Sequence, residues 1–336
     1  GPAVMISPLI SLMDDQRSQW TVFSDDVANS DLHPEKRYNC KFLTQVEDQH
    51  PLDMMAELAE GDIDLFCSSP ETLMNAPSDR PTWIDTLSKL EKPVSLLIVD
   101  EAHIIGDWGA SIRPEFQLLS WVKDRLLQSN RDLRVLLMSA TISAEEENEL
   151  IHLFESGLNL NDPVRESRTR PDLYFHIDLY GRDDQDESFA LGIEKVYSGR
   201  SEIDVSWYEH QGHGQHRPPA IVYTPLKSDA EGVIKTTAQS HFNDVRTYTG
   251  DTSGDRREST RLAFIADEFD CLVATSAFGM GIDKPDVWIT SYFGLPHTLK
   301  GLYQGFGRAA RESKWESNVP SAWSSGVCYA VIPDMQ

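Results

Sequence analysis

Short apolar runs alternate with helix-periodic segments along the chain. Strands are predicted in the first half at residues 3–6, 63–67, 94–99 and 134–138. In the second half they are predicted at 220–223, 245–248, 271–274, 287–292 and 327–332. Helices are predicted at 52–60, 144–154, 227–241, 259–266 and 299–310, and one more is expected to end at 87–90. Strands that alternate with helices indicate parallel sheets, so the sequence predicts an α/β protein.

The alternation stops once and then resumes, which predicts two domains. We place the first at residues 1–163 and the second at 164–336, where 164–182 hold a linker and an entering strand. Residues 183–219 are the least patterned part of the chain. A length of 336 residues is sufficient for two separate cores. We expect a cleft between two parallel-sheet domains.

Composition limits the function. The net charge of −24 argues against a broad basic face, so any nucleic-acid contact is expected in a local groove. No apolar run approaches the ~18 residues that span a membrane, and no signal peptide is recognisable, so no membrane association is expected. Four scattered cysteines without a C-x-x-C pair indicate a reducing, cytosolic setting and no structural zinc.

Two clusters of polar side chains carry candidate chemistry. Asp100, Glu101 and His103 follow the apolar run 94–99, at the strand end where open α/β sheets bind ligands. Two carboxylates there would hold Mg²⁺ and orient an attacking water; the alternative is an acidic strand end that caps the next helix. The second cluster is a histidine triplet at spacing three, for which a solvated loop is favoured over a metal site because no acidic or cysteine partner completes a motif. It comprises His210, His213 and His216.

The order of the motifs carries a family resemblance. Residues 100–103 (DEAH) followed by 139–141 (SAT) resemble superfamily 2 helicases. The segments ISPLISLMDDQ (6–16), SPETLM (69–74), DEAH…DWG…RPEF (100–116), ATSAFGMGIDKPDV (274–287) and YQGFGRAARE (303–312) resemble the motifs of the RecQ family, in family order. The resemblance covers nearly the whole chain. It implies two RecA-like domains with a nucleotide and DNA cleft between them, the first incomplete at its N-terminus.

The resemblance also implies roles in ATP hydrolysis. Asp100 and Glu101 would bind Mg²⁺ and polarise the attacking water, while His103 would couple the site to Ser139, Ala140 and Thr141. Other residues implied at the nucleotide are Gly281, Asp283 and Gln304. Arg308 and Arg311, predicted on one helix face, would reach across the cleft as arginine fingers; the alternative is a surface ion-pair stripe. Ala310 replaces a usual glycine, and in a helix the added methyl group is expected to be harmless.

Candidate DNA contacts follow from the same resemblance. Trp108 would stack on a base and Arg113 would contact a phosphate, although a packed Trp108 is the alternative. Asp107, Ala110 and Ile112 depart from the family pattern and weaken this aromatic-rich loop. Further candidates, which would act mostly through hydroxyl and backbone N–H groups, are Ser7, Pro8, Pro70, Glu71, Phe116, Thr249, Gly250 and Thr275.

One expected motif is absent from the sequence. A phosphate-binding loop needs the sequence G-x-x-x-x-G-K-[ST], and no Gly-Lys dipeptide occurs in the chain. The family places this loop and an adenine-reading glutamine motif before the first strand, and zinc-binding and winged-helix regions after the second domain. We therefore expect this chain alone to bind ATP weakly or not at all and to be inactive.

Two functions remain at this point. The first is that of an ATP-dependent helicase or translocase, moving 3′ to 5′ on single-stranded DNA and unwinding partially duplex DNA, cytoplasmic and nucleoid-associated in a bacterium. Bacterial DNA repair, DNA modification and phage defence all stay open as its setting, and protein partners are not indicated. The second is that of a non-catalytic scaffold that binds nucleic acid or protein. The intact Asp100, Glu101, Arg308 and Arg311 favour the motor.

Overall fold

The chain divides into two compact units, Gly1–Arg165 and Glu166–Gln336, each of which is described by itself. The computed structural model describes residues 1–8, 13, 16, 17, 20, 38–43, 51–76, 81–105, 114–159, 161–165, 170, 173–180, 187–192, 219–240, 242–275, 284, 286–294, 296, 298–310 and 326–333. Among these residues, no helix is long and apolar enough to cross a membrane.

The first unit is built on a parallel sheet of five strands. These are β1 (Ala3–Ile6), β2 (Cys40–Phe42), β3 (Leu65–Ser68), β4 (Leu96–Val99) and β5 (Arg134–Leu137), in the order β2-β3-β1-β4-β5. The helices are α1 (Pro51–Glu60), α2 (Pro70–Met74), α3 (Trp83–Leu87), α4 (Leu119–Ser129) and α5 (Ala144–Phe154), with a 3₁₀ helix at Pro114–Leu118. The central strands β1 and β3 are almost fully buried, as expected for a parallel sheet covered on both faces.

Local signals explain where the helices of this unit begin and end. Ser143 and Glu146 form a reciprocal capping box at the start of α5, and three acidic residues occupy its first turn. At the other end of α5, the completely buried Lys123 donates to the carbonyl of Ser156 at 2.7 Å and to that of Phe154 at 3.4 Å. These bonds satisfy carbonyls that a helix C-terminus leaves without partners. Helix α5 is therefore fixed at both ends.

The second unit is also a parallel sheet, of six strands. These are β6 (Leu173–Tyr180), β7 (Ala220–Tyr223), β8 (Val245–Tyr248), β9 (Cys271–Ala274), β10 (Ile289–Phe293) and β11 (Gly326–Pro333), in the order β6-β11-β10-β7-β9-β8. The helices are α6 (Lys227–Glu231), α7 (Val233–Gln239), α8 (Gly254–Ile265) and α9 (Leu299–Phe306). Strands β7, β9 and β10 are buried along their whole length and form the centre of the core.

The predicted alternation is confirmed, but several elements differ from the prediction, and helix α4 (Leu119–Ser129) was not predicted. The helix predicted at 227–241 is two helices, because the backbone of Gly232 is not helical. Helix α8 starts five residues before the predicted residue 259. Helix α9 ends at Phe306 and not at 310, since the chain turns at Gly307. Strand β2 was not predicted, because an edge strand of three residues carries no periodic pattern.

Candidate nucleotide and nucleic-acid site

The carboxyl ends of three neighbouring strands meet at one edge of the first sheet. Asp100 directly follows β4, and its backbone N–H donates to the carbonyl of Ile6 at the end of β1, at 2.9 Å. Met138, which follows β5, donates to the carbonyl of Val99 at 2.9 Å. The strands therefore end level with one another, and the segments that start at Ser7, Asp100 and Met138 lie side by side. This edge is where parallel α/β sheets place their ligands.

Both carboxylate oxygens of Asp100 accept a hydrogen bond. Oδ1 accepts from the backbone N–H of Glu101 at 2.9 Å, and Oδ2 accepts from the side-chain amide of Gln16 at 3.2 Å. Burial and, after it, the negative charge of Glu101 raise the pKa of Asp100 above its ordinary value. A divalent cation would relieve this repulsion, so the carboxylate is both oriented and electrostatically suited to bind one.

Glu101 adopts a backbone conformation that is uncommon for a residue with a side chain. Its φ is +49°, in the left-handed region. The next residue fixes this turn, because the N–H of Ala102 donates to the carbonyl of Met138 at 2.8 Å. Strained backbone of this kind persists where surrounding bonds over-determine it, and it occurs often at active sites.

A chain of polar contacts joins Glu101, through His103, to the segment after β5. His103 is buried, and its Nδ1 lies 3.2 Å from Glu101 Oε2 and 2.9 Å from Ser139 Oγ. Ser139 Oγ donates its single hydrogen to the carbonyl of Thr141 at 2.7 Å. It must therefore accept from His103, which places the hydrogen of the imidazole on Nδ1. Ala140, between Ser139 and Thr141, is exposed.

The donor set fits Mg²⁺ better than a metal held entirely by protein. Among the described residues, no group of three or more His, Cys, Asp or Glu side chains could hold a metal ion. Mg²⁺ is usually bound by one or two carboxylates, with waters and substrate phosphates as the remaining ligands. Asp100 and Glu101 supply this smaller set.

Four of the five predicted DNA contacts that the structure describes in the first unit lie at the same edge. Ser7 follows β1 and is fully buried, and its Oγ has no hydrogen-bond partner within the described part of the chain. Pro70 is buried and Glu71 half-buried at the start of α2, and Pro8 is buried beside Ser7. Phe116 has no exposed surface. A ring without exposed surface cannot stack on a base, and this burial removes Phe116 from the candidate DNA contacts.

In the second unit, three candidate DNA contacts lie together at the carboxyl edge of the sheet. Thr249 and Gly250 follow β8, and Thr275 follows β9, where its N–H donates to the carbonyl of Tyr248 at 3.2 Å. Thr249 and Thr275 are buried. Arg257 of α8 braces this loop, because its Nη2 donates to the carbonyl of Gly250 at 2.7 Å.

Arg308 lies at the opposite edge of the same sheet. Ala310, two residues after Arg308, donates its backbone N–H to the carbonyl of Val287 at 2.9 Å. Val287 lies just before the start of β10. Arg308 is therefore in a turn after α9 and not on a helix, and the predicted shared helix face with Arg311 is wrong for this position. Gln304 remains within α9 and is half-buried.

Ala310 differs from its expectation as well. Its φ is +51°, so the position is left-handed and not helical. Glycine adopts this conformation without steric cost, whereas an alanine strains it. The left-handed backbone explains why a glycine would suit this position. The methyl group of Ala310 is therefore expected to strain the turn and not to be harmless.

Sequence reasoning missed two side chains that hold the candidate site residues. Gln16 ends the segment ISPLISLMDDQ, and its place in the motif that follows β1 was the available signal. Arg170 donates from Nη1 to the carbonyl of Gly307 at 3.1 Å and from Nη2 to that of Ala310 at 2.5 Å. No local sequence pattern predicts the contact of Arg170 with Gly307, because the two residues are 137 positions apart.

The remaining predicted residues lie outside the described part of the chain. Among the proposed nucleotide contacts they are Arg311, Gly281 and Asp283, and in the aromatic-rich loop they are Trp108 and Arg113 with the departures Asp107, Ala110 and Ile112. The histidine triplet His210, His213 and His216 lies outside it too.

Comparison with known proteins assigns a family to both units. Residues 1–150 match the DEAD/DEAH box helicase family, and residues 205–313 match the helicase conserved C-terminal domain. The chain is 28% identical to the ATP-dependent helicase SGS1 of Saccharomyces cerevisiae over 94% of its own length and 19% of that protein. It is 27% identical to the ATP-dependent DNA helicase RecQ of Bacillus subtilis over 93% of its own length and 45% of that protein. The chain thus spans less than half the length of either relative.

A solved structure gives the same answer for the fold. The structure of the helicase MrfA bound to DNA and AMPPNP superposes on this chain with a TM-score of 0.63 and 15% sequence identity. The match includes the whole of this chain and 42% of MrfA. This likeness shows the fold alone. The family assignment rests on the sequence matches, which run through both units. The chain therefore carries a DEAD/DEAH box helicase domain followed by a helicase conserved C-terminal domain, and both units are similar in sequence to RecQ-type helicases.

Proposed function

We propose that the full-length protein containing this chain is a DNA motor that couples ATP hydrolysis to 3′-to-5′ movement on single-stranded DNA and to unwinding of partially duplex DNA. The relatives are named as ATP-dependent helicases, and RecQ as a DNA helicase. The observation that carries the proposal is the chain of contacts in which His103 lies 3.2 Å from Glu101 and is hydrogen-bonded to Ser139, which in turn donates to Thr141.

In this proposal, Asp100 and Glu101 do the work at the attacking water. Asp100, held by Gln16 and by the Glu101 N–H, offers its remaining lone pairs to Mg²⁺. Glu101 orients and polarises the water. Mg²⁺ bound with ATP would neutralise charge on the phosphate oxygens. Glu101→Gln keeps a side-chain oxygen at this position, so it tests the role of Glu101 at the water while Asp100 remains as a ligand for Mg²⁺.

His103 connects hydrolysis to movement. Its Nδ1–H lies within reach of both Glu101 and Ser139, so a shift of the Glu101 carboxylate changes which acceptor it serves. Ser139 passes such a change to the backbone of Thr141. A buried histidine that has two acceptors for one hydrogen is a two-state element of the kind that coupling requires.

Arg308, together with Arg311, would stabilise the charge that develops on the transferred phosphoryl group. A guanidinium offers several donors in a fixed plane, which suits the oxygens of a phosphate. Gly281, Asp283 and Gln304 would complete the nucleotide contacts. This assignment keeps the arginine turn, at one edge of the second sheet, apart from the DNA contacts at the other edge.

The DNA contacts would be made to the backbone of the strand. Ser7, Thr249 and Thr275 carry hydroxyls, and Gly250 offers its backbone. Pro8, Pro70 and Glu71 would shape the groove, while Trp108 and Arg113 would add stacking and a phosphate contact. Contacts of this type need little positive charge, so they are compatible with a net charge of −24.

Strand displacement by the full-length protein tests the proposal. Duplexes with either a 3′ or a 5′ single-stranded tail are incubated with ATP and Mg²⁺, and the released strand is measured. We expect release from the 3′-tailed duplex only, and none with Glu101→Gln. Release from the 5′-tailed duplex alone would overturn the polarity. Binding of both duplexes with release of neither would leave a non-catalytic scaffold.

A further inference from the structure

The turn that carries Arg308 is held by a guanidinium from a distant part of the second unit. Arg170 precedes β6, and it donates to the carbonyl of Gly307 at 3.1 Å and to that of Ala310 at 2.5 Å. These two carbonyls flank Arg308 on either side. One planar group therefore spans the whole turn.

The placement of Arg170 is electrostatically favourable. Helix α9 ends at Phe306, and the carbonyls at its C-terminal end carry partial negative charge. A guanidinium presents two parallel N–H donors at a fixed spacing, whereas a lysine offers one flexible point charge. Arg170 thus fixes both the position of this turn and the direction in which it leaves the helix.

Other contacts help to fix the conformation of the turn at residues 307–310. The N–H of Ala310 donates to the carbonyl of Val287 at 2.9 Å, and Ala310 has a left-handed φ of +51°. An alanine in this conformation is strained, and it persists only where surrounding bonds over-determine it. The bond from Arg170 to the carbonyl of Ala310 is one of these bonds.

We propose that Arg170 is a positioning residue for Arg308: by clamping the carbonyls of Gly307 and Ala310, it holds Arg308 in the orientation that phosphoryl transfer requires. The inference rests on the proposed function, in which Arg308 stabilises developing charge. Arg170 itself touches no reacting atom. Its effect is expected on the rate of the chemical step and not on nucleotide affinity, because a misplaced catalytic group raises the barrier without changing ground-state binding.

The test uses four variants of the full-length protein: Arg170→Gln, Arg170→Lys, Arg308→Ala and the double variant Arg170→Gln/Arg308→Ala. We expect Arg170→Gln to lower kcat of DNA-stimulated ATP hydrolysis about 10- to 100-fold, with KM changed by less than about threefold. Arg170→Lys is expected to restore part of the loss. The double variant is expected to match Arg308→Ala, because a positioning residue has no effect once the group it positions is gone.

Hydrogen exchange supplies a readout that needs no hydrolysis. In Arg170→Gln, we expect faster exchange of the Ala310 amide, while the amides of the central strands β7 and β9 keep their protection. Arg246→Gln is the matched control. Arg246 is a partly exposed arginine of β8 that pairs with Asp244 at 3.1 Å, and its loss is expected to leave kcat and the Ala310 amide unchanged.

The outcomes separate this inference from the function on which it rests. If Arg308→Ala keeps the wild-type kcat, the proposed role of Arg308 fails, and the role of Arg170 fails with it. If Arg308→Ala is impaired but Arg170→Gln is not, only the positioning role is overturned. The same holds if the two losses multiply in the double variant, or if exchange accelerates throughout the second unit, since both results indicate general stabilisation.

Discussion

The side-chain amide of Gln16 donates to Oδ2 of Asp100 at 3.2 Å and joins the helical segment after β1 to the end of β4. The second oxygen of Asp100 is held by the backbone. Gln16 is therefore the side chain that sets the rotation of this carboxylate. Partners that orient a metal ligand in this way typically contribute 10- to 100-fold to metal affinity or activity.

We accordingly expect Gln16→Leu to raise the Mg²⁺ concentration needed for half-maximal ATP hydrolysis by about 10-fold or more in the full-length protein. The measurement is a Mg²⁺ titration at saturating ATP and DNA. Gln128→Leu, on the exposed side of α4, is the matched control and should behave as wild type. Equal Mg²⁺ dependence in Gln16→Leu and wild type would contradict a positioning role for Gln16.

Protonation of Asp100 should determine how the rate of hydrolysis falls at low pH. Burial and the charge of Glu101 raise its pKa above the ordinary 3.8, so as the pH falls it takes up a proton sooner than an exposed aspartate does. Mg²⁺ binds only the ionised carboxylate, and proton and cation therefore compete. We expect the acid limb of the pH–rate profile to move to lower pH as Mg²⁺ is raised.

A pH–rate profile at several Mg²⁺ concentrations measures this competition. Profiles that superimpose at all of them would mean that the acid limb belongs to a group that does not bind the cation. Denaturation at low pH is excluded by following circular dichroism in the same buffers.

The left-handed Ala310 predicts that glycine would be accepted at this position. The left-handed conformation costs an L-residue about 1–2 kcal/mol, and glycine gives back roughly 0.4–1 kcal/mol through its freedom in the unfolded chain. We expect Ala310→Gly to stabilise the second unit by up to about 1 kcal/mol, measured as a higher unfolding temperature.

Ala309→Gly is the control for Ala310→Gly. Ala309 is fully buried, and its φ is not among the positive values of the described residues. Removal of the buried methyl group in Ala309→Gly should lower the unfolding temperature. A decrease of similar size in both variants would show that the methyl group of Ala310 matters more than the strain.

Lys123 offers a test of the first unit. It is completely buried and donates to the carbonyls of Phe154 and Ser156 beyond the end of α5. Lys123→Met keeps most of the volume but removes the donor, which leaves the buried carbonyl of Phe154 unsatisfied at a cost of about 1–3 kcal/mol. We expect a lower unfolding temperature for Lys123→Met, while Lys92→Met, at an exposed position, should unfold like wild type. Equal unfolding temperatures would mean that water replaces the lost donor.

The periodic part of the fold was predictable from sequence. The bounds of β7, β9 and α5 agree with the predicted ones, because a buried strand needs consecutive apolar residues and α5 begins at its own capping box. The end of α9 was not predictable from sequence. Small residues continue past Gly307, although the backbone turns there. Where a helix stops can depend on contacts made elsewhere in the chain.

The candidate site divides in the same way. Asp100, Glu101, His103 and Ser139 follow strands, so their shared edge follows from the strand pattern. The contacts of Gln16 and Arg170 do not, because they join residues 84 and 137 positions apart and leave no local signal. Phe116 shows the converse error, in which an aromatic residue of a functional motif is part of the core.

The motor function is tested by DNA-stimulated ATP hydrolysis of the full-length protein, with Glu101→Gln as the control. We expect hydrolysis to rise with single-stranded DNA and to be lost in Glu101→Gln, while that variant still binds DNA. A wild-type protein that binds single-stranded DNA without hydrolysing ATP would contradict the motor and leave the scaffold.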